Sequence, residues 1–480
     1  MRRGVHEASY SRETTWILLS RVAGYAIALA SSVLVARALG VERLGQYAYA
    51  MGLAAFFGLL PNFGISTVVT RAVARNPHAA AGIAVAAVRL QAILAVGTAV
   101  VIVGFGAILP EQPVPLEFVV LAAGQLALGT VSWPYLAVLG GRAQYGRVAL
   151  VELLTGTAGL LLLAVVAVAG GGVAEFLWAH VAVAGAAIAV ARWMAAPFLF
   201  ASDAGPCTMG GLLREGLPFS AMAVIQSFYT RLDVVLLGQL SSPLAVGLYS
   251  VAYKPVNMMV NVGATASGTL FPFIVQAEGE EGGARLSRVA RVFGVAAPAI
   301  ALALSGLSRP LIEVLYGASY ADAAPLLTVL AWSAAAYWLY APVGIALQAR
   351  GFERWWLAVL AGGLALNATG NVLTIPRWGA LGAAATMLMS EAALACLGAL
   401  LAGRLLGTAP SPAILSGIAG SAAAGCAVLW GLRSAGAIAA TAAALAVYGG
   451  LLLLCRVVTV EDVAKALGRF REAFVSAPSG

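Results

Sequence analysis

Charge is what this sequence has least of. Only 10% of its 480 residues are Asp, Glu, Lys or Arg, and just two are lysine. An ordinary soluble domain carries about 25% charged residues. A chain of this length would need several polar surfaces to stay in water, and a composition that is 61% hydrophobic cannot build them. The three histidines, His6, His78 and His180, are isolated from one another, which excludes a histidine metal cluster. The four cysteines, Cys207, Cys396, Cys426 and Cys455, have no paired spacing. That excludes a disulfide framework and a Cys-x-x-Cys metal site. There is no G-x-x-x-x-G-K-[ST] loop for a nucleotide phosphate. Nor is there a loop beyond about 20 residues between apolar runs, where a nucleotide-sugar enzyme would keep its catalytic domain. The stretch "EQPVPLE" (Glu111–Glu117) is too short and too proline-bound to serve as one.

What the sequence has is apolar length. Mean hydropathy is +0.93, and runs of about 20 apolar residues, enough to cross a bilayer as helices, recur from end to end. Fourteen spans are expected, at 15–38, 45–66, 81–109, 116–140, 148–169, 173–199, 215–238, 244–270, 289–308, 323–347, 355–375, 379–402, 411–431 and 435–455. The first ends in "ARA", which imitates a leader cleavage site, but its apolar run exceeds the roughly 7–15 residues of a leader. The expectation is an all-α polytopic membrane protein.

Basic residues orient it. With fourteen spans both termini share a side, and that side carries twenty Arg and Lys residues, from Arg2 to Arg471. The opposite loops carry five: Arg37, Arg43, Arg309, Arg377 and Arg433. Basic loops stay cytoplasmic, so both termini are expected in the cytoplasm. The net charge of +8 is thus a topology signal. Nucleic acid is not an expected partner.

Three cations remain, and all lie inside spans: Arg21, Arg231 and Lys254. Each would cost about 2.5–3.5 kcal/mol at the centre of a lipid-exposed helix, so each should face the bundle interior or a wet cavity. Two explanations stay open at this point. One is a structural ion pair with an intramembrane acid such as Asp233 or Glu391, and the other is an anionic ligand. Within "RLDVVLLGQL", Arg231 and Asp233 stand two residues apart and point to nearly opposite sides of a helix. They cannot simply neutralise each other, so one should line a cavity while the other bonds a neighbouring helix.

The chain also repeats itself. G-x-Y-x-x-A occurs at Gly45, Tyr47, Ala50 and again at Gly247, Tyr249, Ala252, an offset of 202. "LGGRAQYGRVALV" (Leu139–Val151) matches "LQARGFERWWLAV" (Leu347–Val359) at an offset of 208. Six spans separate each pair, which implies a parallel repeat about the membrane normal, with binding where the two halves meet. The expected organisation is a six-helix lobe over 1–200, a cytoplasmic linker over 201–211, a second six-helix lobe over 212–404 and two extra spans over 411–456. A cytoplasmic interfacial tail over 457–480 completes it. Gly24, Pro218, Gly238, Pro255 and Gly263 are candidate flex points, or simply sites of close helix packing.

Several stretches resemble the polysaccharide (O-antigen type) flippase family of the MOP superfamily, which also holds MATE exporters and lipid II flippases. They are "VARALGVERLGQYAYA", "RLDVVLLGQLSSPLAVGLYSVAYK", "LYGASYADAAPLL" (Leu315–Leu327) and "LQARGFERWW". The resemblance implies two six-helix lobes around a cavity and alternating access. It implies export of polyprenyl-pyrophosphate-linked oligosaccharide across the cytoplasmic membrane for surface polysaccharide synthesis. Cavity cations of that family map here onto Arg21, Arg231 and Lys254, with Asp233 as a supporting intramembrane acid. No enzymatic activity, cofactor or metal is implied. Lipid-linked oligosaccharide, membrane lipids, and glycosyltransferases or polymerases are the expected partners of a monomer. The rival is a MATE-like ion-coupled exporter of small organic cations, which would favour an acidic cavity.

Overall fold

The computed structural model describes residues 2–108, 113–199, 208–268, 279–407 and 412–459. They form fifteen α-helices joined by short turns, with no strand among the described residues. In chain order these are α1 (Arg2–Phe56), α2 (Ile65–Arg75), α3 (Ala80–Ile108), α4 (Leu116–Val131), α5 (Trp133–Gly141) and α6 (Tyr145–Val168). They continue with α7 (Val173–Ala195), α8 (Met209–Leu240), α9 (Pro243–Gly268), α10 (Gly279–Gly306) and α11 (Ser308–Tyr316). The last are α12 (Ala324–Ala349), α13 (Glu353–Leu406), α14 (Pro412–Gly431) and α15 (Ala437–Leu454).

Among the described residues, ten stretches of helix are long and apolar enough to cross a membrane. The chain is therefore a multi-pass helical membrane protein. α8 and α9 are long but less apolar, because they carry Arg231, Asp233, Lys254 and several amides and hydroxyls. Two helices are bent by glycine. α1 breaks at Gly40 (φ 74°) and α13 at Gly379 (φ 53°). Both sit in a left-handed conformation that other residues adopt only at a cost.

The second span differs from expectation. In place of one helix over 45–66, α1 ends at Phe56, turns fill 57–64, and α2 follows. Pro61 lacks the amide that would continue the ladder, and Phe63 and Gly64 both have positive φ. The expected span over 116–140 is met by α4 and α5 together, which run as one candidate span over Leu116–Gly141 past a turn at Ser132, with Pro134 in the first turn of α5. The linker residues 201–207 and the tail from 460 onward lie outside the described residues.

The chain divides into two compact units. The first comprises Met1–Lys254, Leu315–Asp322 and Leu364–Thr386, and the second Pro255–Val314, Ala323–Gly363 and Met387–Gly480. In the first, the two copies of G-x-Y-x-x-A cross each other. A Cβ on Gly45 would overlap the carbonyl oxygen of Pro243 and lie 3.1 Å from the nitrogen of Gly247. A Cβ on Gly247 would overlap the carbonyl oxygen of Val41 and lie 3.2 Å from the nitrogen of Gly45. The contact is reciprocal at the same offset of 202, the signature of a local two-fold relation. Nearby, Tyr49 packs on Gly238, and its hydroxyl accepts from Gln239 Nε2 at 2.6 Å. The segment Leu315–Asp322 closes over the Gly40 end of α1. Tyr320 donates to the carbonyl of Ala36 at 2.6 Å, and Arg37 Nε to that of Leu315 at 2.9 Å.

In the second unit the Trp338 indole donates to the carbonyl of Met259 at 2.9 Å and lies over Gly263. Tyr448 of α15 donates to Val295 of α10 at 2.8 Å, and Leu302, Ile418 and Leu452 fill the space between α10, α14 and α15. Gly238 and Gly263 are thus close-packing points under aromatic rings. The backbone bends lie instead at Gly40 and Gly379.

Candidate functional site

The first unit encloses a cavity of about 520 Å³ walled by α1, α6, α7, α8 and α9. That volume falls within the roughly 300–1,000 Å³ of small-ligand pockets. Helical periodicity explains the walls. On α6 the lining residues are Glu152, Thr155, Gly156, Gly159, Leu160 and Leu163, steps of three and four that select one face. On α1 they include Gly24, Ala28, Ser31, Ser32 and Val35 before the break, and Leu44, Tyr47, Ala48 and Met51 after it. Small residues open the space, and Ser31, Ser32, Thr155 and Ser250 supply hydroxyls to it.

Two cations reach it. Arg231 from α8, half-buried, and Lys254 from α9, exposed to the space, both line the cavity. They act electrostatically on each other. Both lie deep in their helices. Lys254 is eleven residues past the start of α9 at Pro243, about 16 Å at 1.5 Å per residue. Arg231 is nine residues short of the end of α8 at Leu240, about 14 Å. Measured along their helices, the two cations thus stand at similar distances from the turn at Ser241–Ser242. Lys254 also acts on His180, whose Nε2 lies 2.7 Å from the Tyr47 hydroxyl.

Arg21, the third candidate cation, stands outside the lining. It acts electrostatically on Glu152, which does line the cavity. Two of the three candidate cations thus line the space, and the third stands outside the lining with Glu152 in its field.

Asp233 is buried on the other side of α8. Tyr249 donates to its Oδ2 at 2.6 Å, and Asn371 Nδ2 to its Oδ1 at 2.7 Å. Asn371 also bonds Asn367 Oδ1, at 2.9 Å. The opposite directions of Arg231 and Asp233 match the two-residue spacing. Glu391, the other suggested counter-ion, lies buried in the second unit, with Tyr337 in its field.

Sequence reasoning missed the asparagines, the place of Glu152 and the pairing of His180 with Tyr47. His180 was visible as a histidine inside an apolar span, and Tyr47 as part of the repeat, but no local pattern joins residues 133 positions apart. Among the described residues no group of three or more His, Cys, Asp or Glu is placed to hold a metal ion.

The model of the polysaccharide biosynthesis protein family matches residues 11–278. This chain belongs to that family. None of the curated proteins with which the sequence was compared matches it. Solved structures give the fold of this family member. It is similar to the lipid II flippase MurJ in an inward closed conformation, with TM-score 0.68 and 12% identity over 92% of this chain and 98% of that one. It is also similar to an inward-facing multidrug resistance MATE family transporter of the MOP superfamily, with TM-score 0.58 and 17% identity over 79% and 93%. The Vibrio cholerae MATE transporter VcmN in its bent form gives 0.54 and 16% over 83% and 98%. The family member therefore shares the fold of these proteins.

Proposed function

We propose that this protein is a flippase that moves polyprenyl-pyrophosphate-linked oligosaccharide across the cytoplasmic membrane by alternating access. In this reading both termini are cytoplasmic and the fourteen expected spans form two six-helix lobes and an extra pair. The reciprocal Gly45–Gly247 crossing supports the two-lobe repeat, and the excess of basic residues on the terminal side supports the orientation.

The observation that carries the proposal is the pair of cations on one cavity. Arg231 and Lys254 line it together, while its acid, Glu152, has Arg21 in its field. Two cations brought together out of bulk water repel each other, and a dianionic group between them removes that cost. A pyrophosphate fits the requirement: the Arg fork binds phosphate oxygens in pairs, and Lys acts as a point charge. The charged head cannot cross about 30 Å of hydrocarbon unaided, whereas a cavity that opens to each face in turn carries it.

The test is flipping of a fluorescent short-chain prenyl-pyrophosphoryl-oligosaccharide in proteoliposomes. Lys254→Ala and Arg231→Ala should each reduce the rate at least tenfold at unchanged protein content. Normal flipping in both variants, with loss of organic-cation efflux in Glu152→Gln, would replace the proposal by the cation-exporter reading.

A further inference from the structure

A second concave surface lies in the first unit, outside the cation-lined cavity. It is a groove of about 710 Å³ between α2, α5 and α6. α2 is amphipathic: Ile65, Val68, Val69 and Val73 are buried in the core, while Ser66, Thr67, Thr70 and Arg71 turn to the groove. The hydroxyl of Thr70 is committed to the carbonyls of Ser66 and Ala137, and that of Ser66 to Asn62. Thr67 remains exposed to the groove. Across from it stand the half-buried Trp133 of α5 and the exposed Glu152 of α6. Glu152 is also a wall of the cation-lined cavity, so the two spaces share that residue.

The two spaces differ in chemistry. The cavity presents Arg231 and Lys254. The groove presents an indole, a hydroxyl, a guanidinium and a carboxylate. An aromatic face with a few convergent polar groups is a common lining of small-molecule sites. A carboxylate accepts several O–H donors at once, which a hydroxyl-rich ring supplies and a bare phosphate does not. A Thr hydroxyl both donates and accepts. We propose that the Trp133–Thr67–Glu152 groove is a carbohydrate-binding subsite, taking the uncharged sugars of a ligand whose anionic head lies against Arg231 and Lys254. The proposal rests on the flippase reading for the second half of that statement alone. Glu152, at the junction, holds hydroxyls of the sugar next to the head. Specificity for the exported glycan then resides in α2, α5 and α6, and the shared charged head is read by α8 and α9.

The test uses the full-length protein in detergent micelles with four probes. They are farnesyl pyrophosphate and its conjugates with glucose, galactose and N-acetylglucosamine. At least one conjugate should bind tenfold or more tightly than farnesyl pyrophosphate. Trp133→Leu and Thr67→Val should each remove most of that gain and leave farnesyl pyrophosphate binding unchanged, while Trp133→Phe, which keeps a ring face, should retain it. Lys254→Ala should weaken all four probes by a similar factor. Equal binding of all four probes by the wild type overturns the subsite, as does a full sugar gain in both Trp133→Leu and Thr67→Val. Farnesyl pyrophosphate binding that ignores Lys254→Ala overturns the pyrophosphate reading instead, and leaves the sugar gain to judge the groove on its own.

Discussion

Arg231 and Asp233 are neighbours in sequence and strangers in space. The first faces a cavity. The second is held by Tyr249 at 2.6 Å and Asn371 at 2.7 Å. Removing Asp233 leaves a phenol and an amide buried without that acceptor, at about 1–3 kcal/mol for each unsatisfied group. Asp233→Ala should therefore lower the melting temperature of the detergent-solubilised protein, while Arg231→Ala, which relieves repulsion from Lys254, should not. The Arg231→Ala, Asp233→Ala double variant should melt like Asp233→Ala. A double variant that melts well above it would show that the two charges stabilise each other after all.

At the scale of the helix, glycine does two separate jobs. At Gly40 and Gly379 it supplies a left-handed bend within one long helix. At Gly45 and Gly247 it supplies closeness, since each faces a carbonyl of the other repeat copy with no room for a methyl group. Overpacking of this kind costs typically 1–3 kcal/mol, and here it is backbone that would have to move. Gly45→Ala and Gly247→Ala should each reduce the folded fraction recovered from membranes, read by size-exclusion chromatography. Gly24→Ala on the cavity wall, where an added Cβ meets nothing within 4 Å, should not. Recovery of both crossing variants at wild-type levels would show that the helices separate without penalty.

For the whole molecule, the distribution of basic residues makes the orientation testable. In a background lacking the four natural cysteines, Arg433→Cys should react with a membrane-impermeant maleimide in intact cells. Arg142→Cys should react only after the membrane is opened. The reverse pattern would invert the topology and place the groove of α2, α5 and α6 on the outer side. Exposed indoles near helix ends, Trp178 and Trp193 of α7 and Trp430 of α14, suit the two membrane interfaces, where amphipathic rings settle.

The sequence by itself determined the class of the protein and the cast of its chemistry. Apolar runs of bilayer length are a local property, as are three cations within them, and two-residue spacing already separated Arg231 from Asp233. The repeated G-x-Y-x-x-A was legible too, since it is written twice in the same letters. Tertiary structure decided who meets whom. It set Arg231 and Lys254 on one cavity, left Arg21 off its wall, and brought Asn371 to Asp233 from 138 positions away. It also broke one expected span, at 57–64. The physical reason is the same in each case. Hydrophobicity and helical period act along a few turns of one segment, whereas the partner of a polar side chain is fixed by how separate helices pack.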